Sequence, residues 1–209
     1  MSNNIVIVDY QAGNLRSVQK AMERFGAAPS ISSDADEIRA ADGLVFPGQG
    51  ACDSAMRHIR ERGLEEPIKA FIESGRPFLG VCLGLQLLLE GSDEGDEPGL
   101  GVLKGWVRRL PDGQKIPHMG WNQVRLRMSH PVLDGIPDNS EFYFVHSYYA
   151  DPVDPSVVAG TTEYGIEFCS VAARDSVIAV QFHPEKSGDL GLKIYENFIR
   201  LVSLAGVGR

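Results

Sequence analysis

The chain has 209 residues, long enough for one domain with a full core and too short for two. Its composition, 43% hydrophobic and 23% charged, is that of an ordinary globule, and the net charge of −8 argues against nucleic-acid binding, which calls for a basic face. Three cysteines, Cys52, Cys82 and Cys169, form no CxxC pair and no cluster with histidine, so free thiols are expected rather than a disulfide framework or a metal site.

Met1 to Asn4 lead straight into an apolar run without a basic leader, and no segment approaches about eighteen continuous apolar residues, so a cytoplasmic protein away from any membrane is expected. Ile5-Val6-Ile7-Val8 has the β-branched character of a buried strand. Leu15, Val18, Met22 and Phe25 then recur at helical spacing until Gly26 stops the helix. A short strand near Ile31, a helix over 36–41, a strand over 43–46 and helical stretches over 53–74 follow. A strand over 77–81 and a helix over 83–89 complete the first half. This alternation predicts an α/β fold, a mostly parallel central sheet with helices on both faces.

From Gly99 onward the pattern changes to extended runs at 102–110, 121–127, 141–149, 157–161, 166–172 and 177–182. Arg174-Asp175 lies between the last two as a hairpin turn, which adds antiparallel strands to the sheet. An amphipathic helix over 192–203 closes a single domain spanning 1–209. The acidic stretch 92–98 is expected as a solvated loop.

Two motifs carry chemistry. In Gly80-Val81-Cys82-Leu83-Gly84 the cysteine falls between a strand and a helix, where flanking glycines permit a sharp elbow that lifts a nucleophile out of the sheet. A thiol with a pKa of about 8.5 is mostly protonated at neutral pH and needs a helix N-terminus and a nearby histidine to react as thiolate. His183-Pro184-Glu185 supplies the histidine at the end of the run 177–182. In extended backbone His183 and Glu185 point to the same side, so the carboxylate can hold the imidazole in one tautomer. Both motifs fall at strand carboxyl ends, where sites of open α/β sheets form. A buried cysteine or a loop-entry histidine would explain either motif alone, but not the pair.

Elbow and dyad, in this order, resemble the class I, triad-type glutamine amidotransferases, in which a cysteine releases ammonia from glutamine. The segments Pro47-Gly48-Gln49-Gly50, Pro117-His118-Met119-Gly120-Trp121-Asn122 and Tyr143-Phe144-Val145-His146-Ser147-Tyr148 resemble most closely the glutaminase subunits that serve imidazole glycerol phosphate synthesis. The likeness runs from Val6 to the last helix. It implies Cys82, His183 and Glu185 as the triad, with no metal or organic cofactor.

It also implies an oxyanion hole from the backbone of Leu83 and of Gly48, Gln49 or Gly50; relatives often carry valine where this chain has Gln49. Glutamine would be held by Gln86, Glu94, His146, Ser147 and Tyr148. A partner, a (βα)8-barrel synthase subunit, would dock near His118, Met119, Trp121 and Asn122. For the residues by themselves plainer roles stay open: a Pro-Gly turn at 47–48, a solvated Glu94, a core His146 and a core Trp121. Rival functions are a glutaminase subunit of anthranilate or pyridoxal phosphate synthesis, a cysteine peptidase or esterase, and a flavodoxin-like binding module.

Overall fold

The computed structural model describes residues 3–207; the two residues at each end of the expected 1–209 domain lie outside the described residues. The first half contains β1 (Ile5–Val8), α1 (Leu15–Glu23), β2 (Ser30–Ser32), α2 (Ala35–Ala40), β3 (Gly43–Gly48), α3 (Cys52–Glu61), α4 (Glu65–Glu73), β4 (Phe78–Cys82) and α5 (Leu83–Gln86). The second half adds β5 (Gly91–Ser92), β6 (Gly105–Arg109), β7 (His118–Leu126), β8 (Ser140–His146), β9 (Tyr148–Pro152), β10 (Val158–Glu163), β11 (Glu167–Arg174), β12 (Val177–Val180) and α6 (Gly188–Val207).

The strands run in the order β2-β1-β3-β4-β12-β11-β10-β7-β8, with β9, β6 and β5 branching from β11. Strands β2, β1, β3, β4 and β12 are parallel, and from β12 through β11, β10, β7 and β8 the pairing is antiparallel, as the change of pattern after Gly99 implied. The central strands β1, β3 and β4 are buried at every position, which is why they read as unbroken apolar runs. Their side chains alternate between two cores. Val6, Leu44, Phe46 and Phe78 meet Ile38, Met56, Ile59, Ile68 and Phe71 of α2, α3 and α4 on one face. Ile5, Ile7, Val45, Leu79 and Val81 meet Val18 and Met22 of α1 and Ile194, Tyr195 and Phe198 of α6 on the other. Among the described residues no helix is long and apolar enough to cross a membrane.

Several boundaries differ from the sequence reading. The helix after Cys82 ends at Gln86 instead of reaching residue 89, because the carbonyls of Leu87, Leu88 and Leu89 accept amides of Leu100, Leu103 and Gly101 from the returning chain. The run 141–149 is two strands: β8 pairs with β7, whereas β9 pairs with β6 and β11, so the chain changes partner at Ser147. Helix α6 begins at Gly188, before the expected 192. The acidic stretch is not a solvated loop. Glu94 Oε2 accepts the Cys52 amide at 2.6 Å, capping α3, and Glu97 meets Arg60 at 2.6 Å.

Candidate active site

Cys82 ends β4 with φ 55°, a left-handed backbone that a non-glycine residue adopts only under constraint. The sequence assigned the sharp turn to glycine; the structure puts the strain on the cysteine and gives the glycines another task. A Cβ on Gly84 would lie 1.8 Å from the Phe46 carbonyl oxygen, and one on Gly80 would lie 2.8 Å from Ala179 Cβ. Both glycines therefore let α5 sit against β3, and β4 against β12. The register sets Gly48 beside Cys82 and Val180 beside Val81, so the ends of β3 and β12 flank the elbow.

From β12 the chain reaches His183, whose amide donates to the Tyr143 carbonyl at 2.9 Å and whose side chain is almost wholly buried. Its Nδ1 meets Glu185 Oε1 at 2.8 Å, while Nε2 is buried and makes no hydrogen bond among the described residues. Burial by itself lowers the proton affinity of His183. Cys82 and Glu185 outweigh burial and push the imidazole pKa up to about 9, so it carries a proton at neutral pH. Glu185 in turn accepts from Asn14 Nδ2 through Oε1 and from the Tyr195 hydroxyl at 3.1 Å through Oε2. Burial raises its pKa, but His183 and then Asn14 hold it below the ordinary carboxylate value.

A cavity of about 440 Å³ opens over the sulfur. Its wall includes Cys82, Leu83, Gln49, Gly50, Gln86, Glu94, His146, Ser147, Tyr148 and His183, which brings together the expected nucleophile, base, oxyanion and substrate residues. Gly48 and Glu185 lie behind that wall. Gly48 is fixed there: a Cβ would fall 1.9 Å from the Tyr10 hydroxyl, which donates to the Pro47 carbonyl at 2.9 Å, and 3.0 Å from Leu83 Cβ. Gly50, with φ 101° and no neighbour around its Cβ position, is unconfined. Pro117, Val145 and Lys186 line the cavity without having been foreseen. Lys186, directly after the dyad, adds a cation to the wall.

The polar residues beneath the cavity form one chain of hydrogen bonds whose directions are forced. Asn122 Nδ2 donates to the Glu163 carbonyl at 2.9 Å and also meets His118 Nε2 at 3.2 Å. That makes His118 Nε2 the acceptor and Nδ1 the donor to His146 Nε2, at 2.9 Å. His146 Nδ1 then donates to the Tyr148 carbonyl at 2.8 Å, which also accepts Gln86 Nε2 at 2.8 Å. Gln86 Nε2 reaches Gln181 Oε1 at 3.1 Å, and Gln181 Nε2 reaches Cys82 Sγ at 3.6 Å.

Both ring nitrogens of His146 are thereby used. Burial lowers the pKa of His118 to about 4 and of His146 to about 3, so both stay neutral at neutral pH. That leaves His146 only ring carbon and main chain to offer to the cavity. The expectation that His118 lies on a docking surface is corrected: it is 3% exposed and stacked on Phe144 and Tyr164, because its ring is needed to hold His146. Met119 and Trp121 point outward, 59% and 55% exposed, and Asn122 is half-buried. Burial pushes the thiols of Cys52 and Cys169 up to about 12, and neither sits on an elbow. The sequence reading missed Asn14, Tyr195 and Gln181. For Gln181 there was a signal, one amide inside an otherwise apolar strand run.

The family model for class-I glutamine amidotransferases matches residues 6–201. An imidazole glycerol phosphate synthase subunit HisH of Rhodopirellula baltica is 55% identical over 93% of this chain and 96% of its own length. Those of Nostoc punctiforme and Dehalococcoides mccartyi strain CBDB1 are 50% and 48% identical, over 95% and 94% of this chain and 96% and 97% of their own lengths. Among solved structures, PurLQS from Thermotoga maritima superposes with a TM-score of 0.77 at 18% identity over 96% of this chain and 99% of that one, a likeness of fold. A second, described as a glutamine amidotransferase, gives 0.74 at 23% identity over 95% and 98%. The chain belongs to the class-I glutamine amidotransferase family, in the branch formed by the HisH subunits of imidazole glycerol phosphate synthase.

Proposed function

We propose that the chain is a cytoplasmic glutaminase subunit that hydrolyses glutamine to glutamate and ammonia and delivers the ammonia to a synthase subunit. The observation that carries this reading is geometric: buried His183, its Nδ1 held by Glu185 at 2.8 Å, opens into the same cavity as an elbow cysteine. A protonated imidazole beside the sulfur favours the thiolate, the form that attacks.

In the proposed reaction Cys82 Sγ attacks the side-chain carbonyl carbon of glutamine, and the negative charge passes to the carbonyl oxygen. The Leu83 amide and an amide from the Gly48-Gln49-Gly50 segment are the donors for that oxygen. His183 Nε2 gives its proton to the leaving nitrogen as the carbon–nitrogen bond breaks, releasing ammonia and leaving a glutamyl thioester. The neutral imidazole then takes a proton from water, hydroxide adds to the thioester, and glutamate departs as the thiolate and imidazolium return. Glu185 stays charged throughout. Glu94 is the partner for the substrate ammonium, and Lys186 adds charge suited to its carboxylate. Gln86, Ser147 and Tyr148 complete the substrate wall.

The relatives' name, a subunit of a synthase, supports a partner for this chain. A (βα)8-barrel subunit closing the imidazole ring of imidazole glycerol phosphate and releasing an aminoimidazole carboxamide ribotide is the proposed receiver of ammonia. The exposed Met119 and Trp121 are the proposed docking anchors, with Asn122 at their edge. Reconstitution tests the whole reading. With the partner present, Cys82→Ala should abolish product formation from glutamine and leave formation from added ammonium salts largely intact. Retention of the glutamine-dependent reaction would overturn it.

A further inference from the structure

We infer that Gln181 is a further catalytic residue of this site: its carboxamide donates an N–H to the Cys82 sulfur and holds the thiolate ready for attack. The inference rests on the reading of Cys82 as nucleophile. Its basis is direction. The Tyr148 carbonyl can only accept, so the end of Gln86 that faces it at 2.8 Å is the NH₂. That same nitrogen lies 3.1 Å from Gln181, whose near end must therefore be oxygen. The far end, 3.6 Å from Cys82 Sγ, is then NH₂. The other end of Gln86 agrees: its Oε1 faces the Cys52 sulfur at 3.7 Å, a thiol whose proton burial and Glu94 retain.

A buried amide donor loses its hydration and must recover it from its neighbour. Gln181 is 0% exposed, and no other acceptor for its NH₂ is found among the described residues. A neutral thiol is a poor acceptor and a thiolate a good one. A charged sulfur is therefore the better partner for that N–H. It also supplies what α5 lacks, since a helix of four residues offers no long run of aligned peptide dipoles toward the sulfur. No proton moves through Gln181. As the sulfur lone pair forms the bond to carbon, the N–H remains on nitrogen and loses a partner whose charge has passed to the substrate oxygen. His183 and Gln181 divide the work: the first transfers protons, the second only stabilises.

The test is alkylation of the full-length chain by iodoacetamide across pH, with the labelled cysteine found by peptide mapping. In the native protein the label should fall on Cys82, with its rate following the thiolate. Gln181→Met keeps the volume and removes the donor. It should slow labelling of Cys82 near neutral pH by ~10- to 100-fold, the range for a hydrogen bond to a charged group, while the rates converge in strongly alkaline solution where the thiolate forms unaided. If circular dichroism finds Gln181→Met unfolded, Gln86→Met takes its place: it frees the Gln181 amide to turn and should shift the profile in the same direction by less. Label on Cys82 with an unmoved pH profile in the folded variant would overturn this inference alone. Label on another cysteine in the native chain would overturn the underlying reading as well.

Discussion

Burial alone would leave His183 neutral, and Cys82 and Glu185 outweigh it, so both partners hold the proton in place. His183→Ala should cost glutaminase turnover of order 10³-fold or more, and Glu185→Gln less, because the carboxylate only orients and stabilises. The reverse ranking at saturating glutamine would mean the roles are exchanged. A protonated His183 is also needed when ammonia leaves. Turnover against pH should therefore fall as pH rises through about 9, and a profile that keeps rising beyond that value would contradict the assignment.

These three residues were legible because each sits in a short motif whose spacing fixes its geometry. Asn14 and Tyr195 were not, since their partner Glu185 lies 171 and 10 residues away and meets them only on folding; Gln181, 99 residues from Cys82, offered only the hint of one amide in an apolar run. His118 misled for the same reason. Nothing near it in sequence reveals the rings of Phe144 and Tyr164 that bury it.

Among the elements, the elbow depends on close approach, and its glycines are unequal to those in turns. Gly84→Ala would drive a methyl group into the Phe46 carbonyl, so β3 or α5 must move, at a cost of about 3 kcal/mol or more. Gly26→Ala meets nothing and costs only the left-handed backbone at φ 77°, about 1 kcal/mol. Denaturant midpoints should separate the two variants clearly; equal losses would remove the close-packing account of the elbow. Periodicity located β1, β3 and β4 well because strands buried on both faces are continuous apolar runs. It misjudged α5 and the run 141–149, where the deciding events are long-range: carbonyls captured by residues 100–103, and a change of strand partner at Ser147.

At the scale of the whole molecule, the histidines set opposing slopes in stability. His183, raised from 6.5 to about 9, contributes stability that is complete below about pH 6.5 and is lost as pH rises through about 9. His118 and His146, lowered to about 4 and 3, bind protons less readily than the unfolded chain does, so stability falls as pH drops below about 6.5. His130, lowered by burial, acts in the same direction. Thermal midpoints should therefore peak near pH 6.5 and decline on both sides, and His183→Gln should flatten the alkaline arm. An alkaline arm unchanged by that substitution would remove His183 as its source.

Of three buried cysteines, the elbow, His183 and the cavity converge on Cys82 alone, which marks it as the nucleophile for glutamine. Peptide mapping after inactivation with an electrophilic glutamine analogue tests this most directly. Label is expected on Cys82 with Cys52 and Cys169 spared; label found mainly on either of those two would overturn the assignment of the nucleophile.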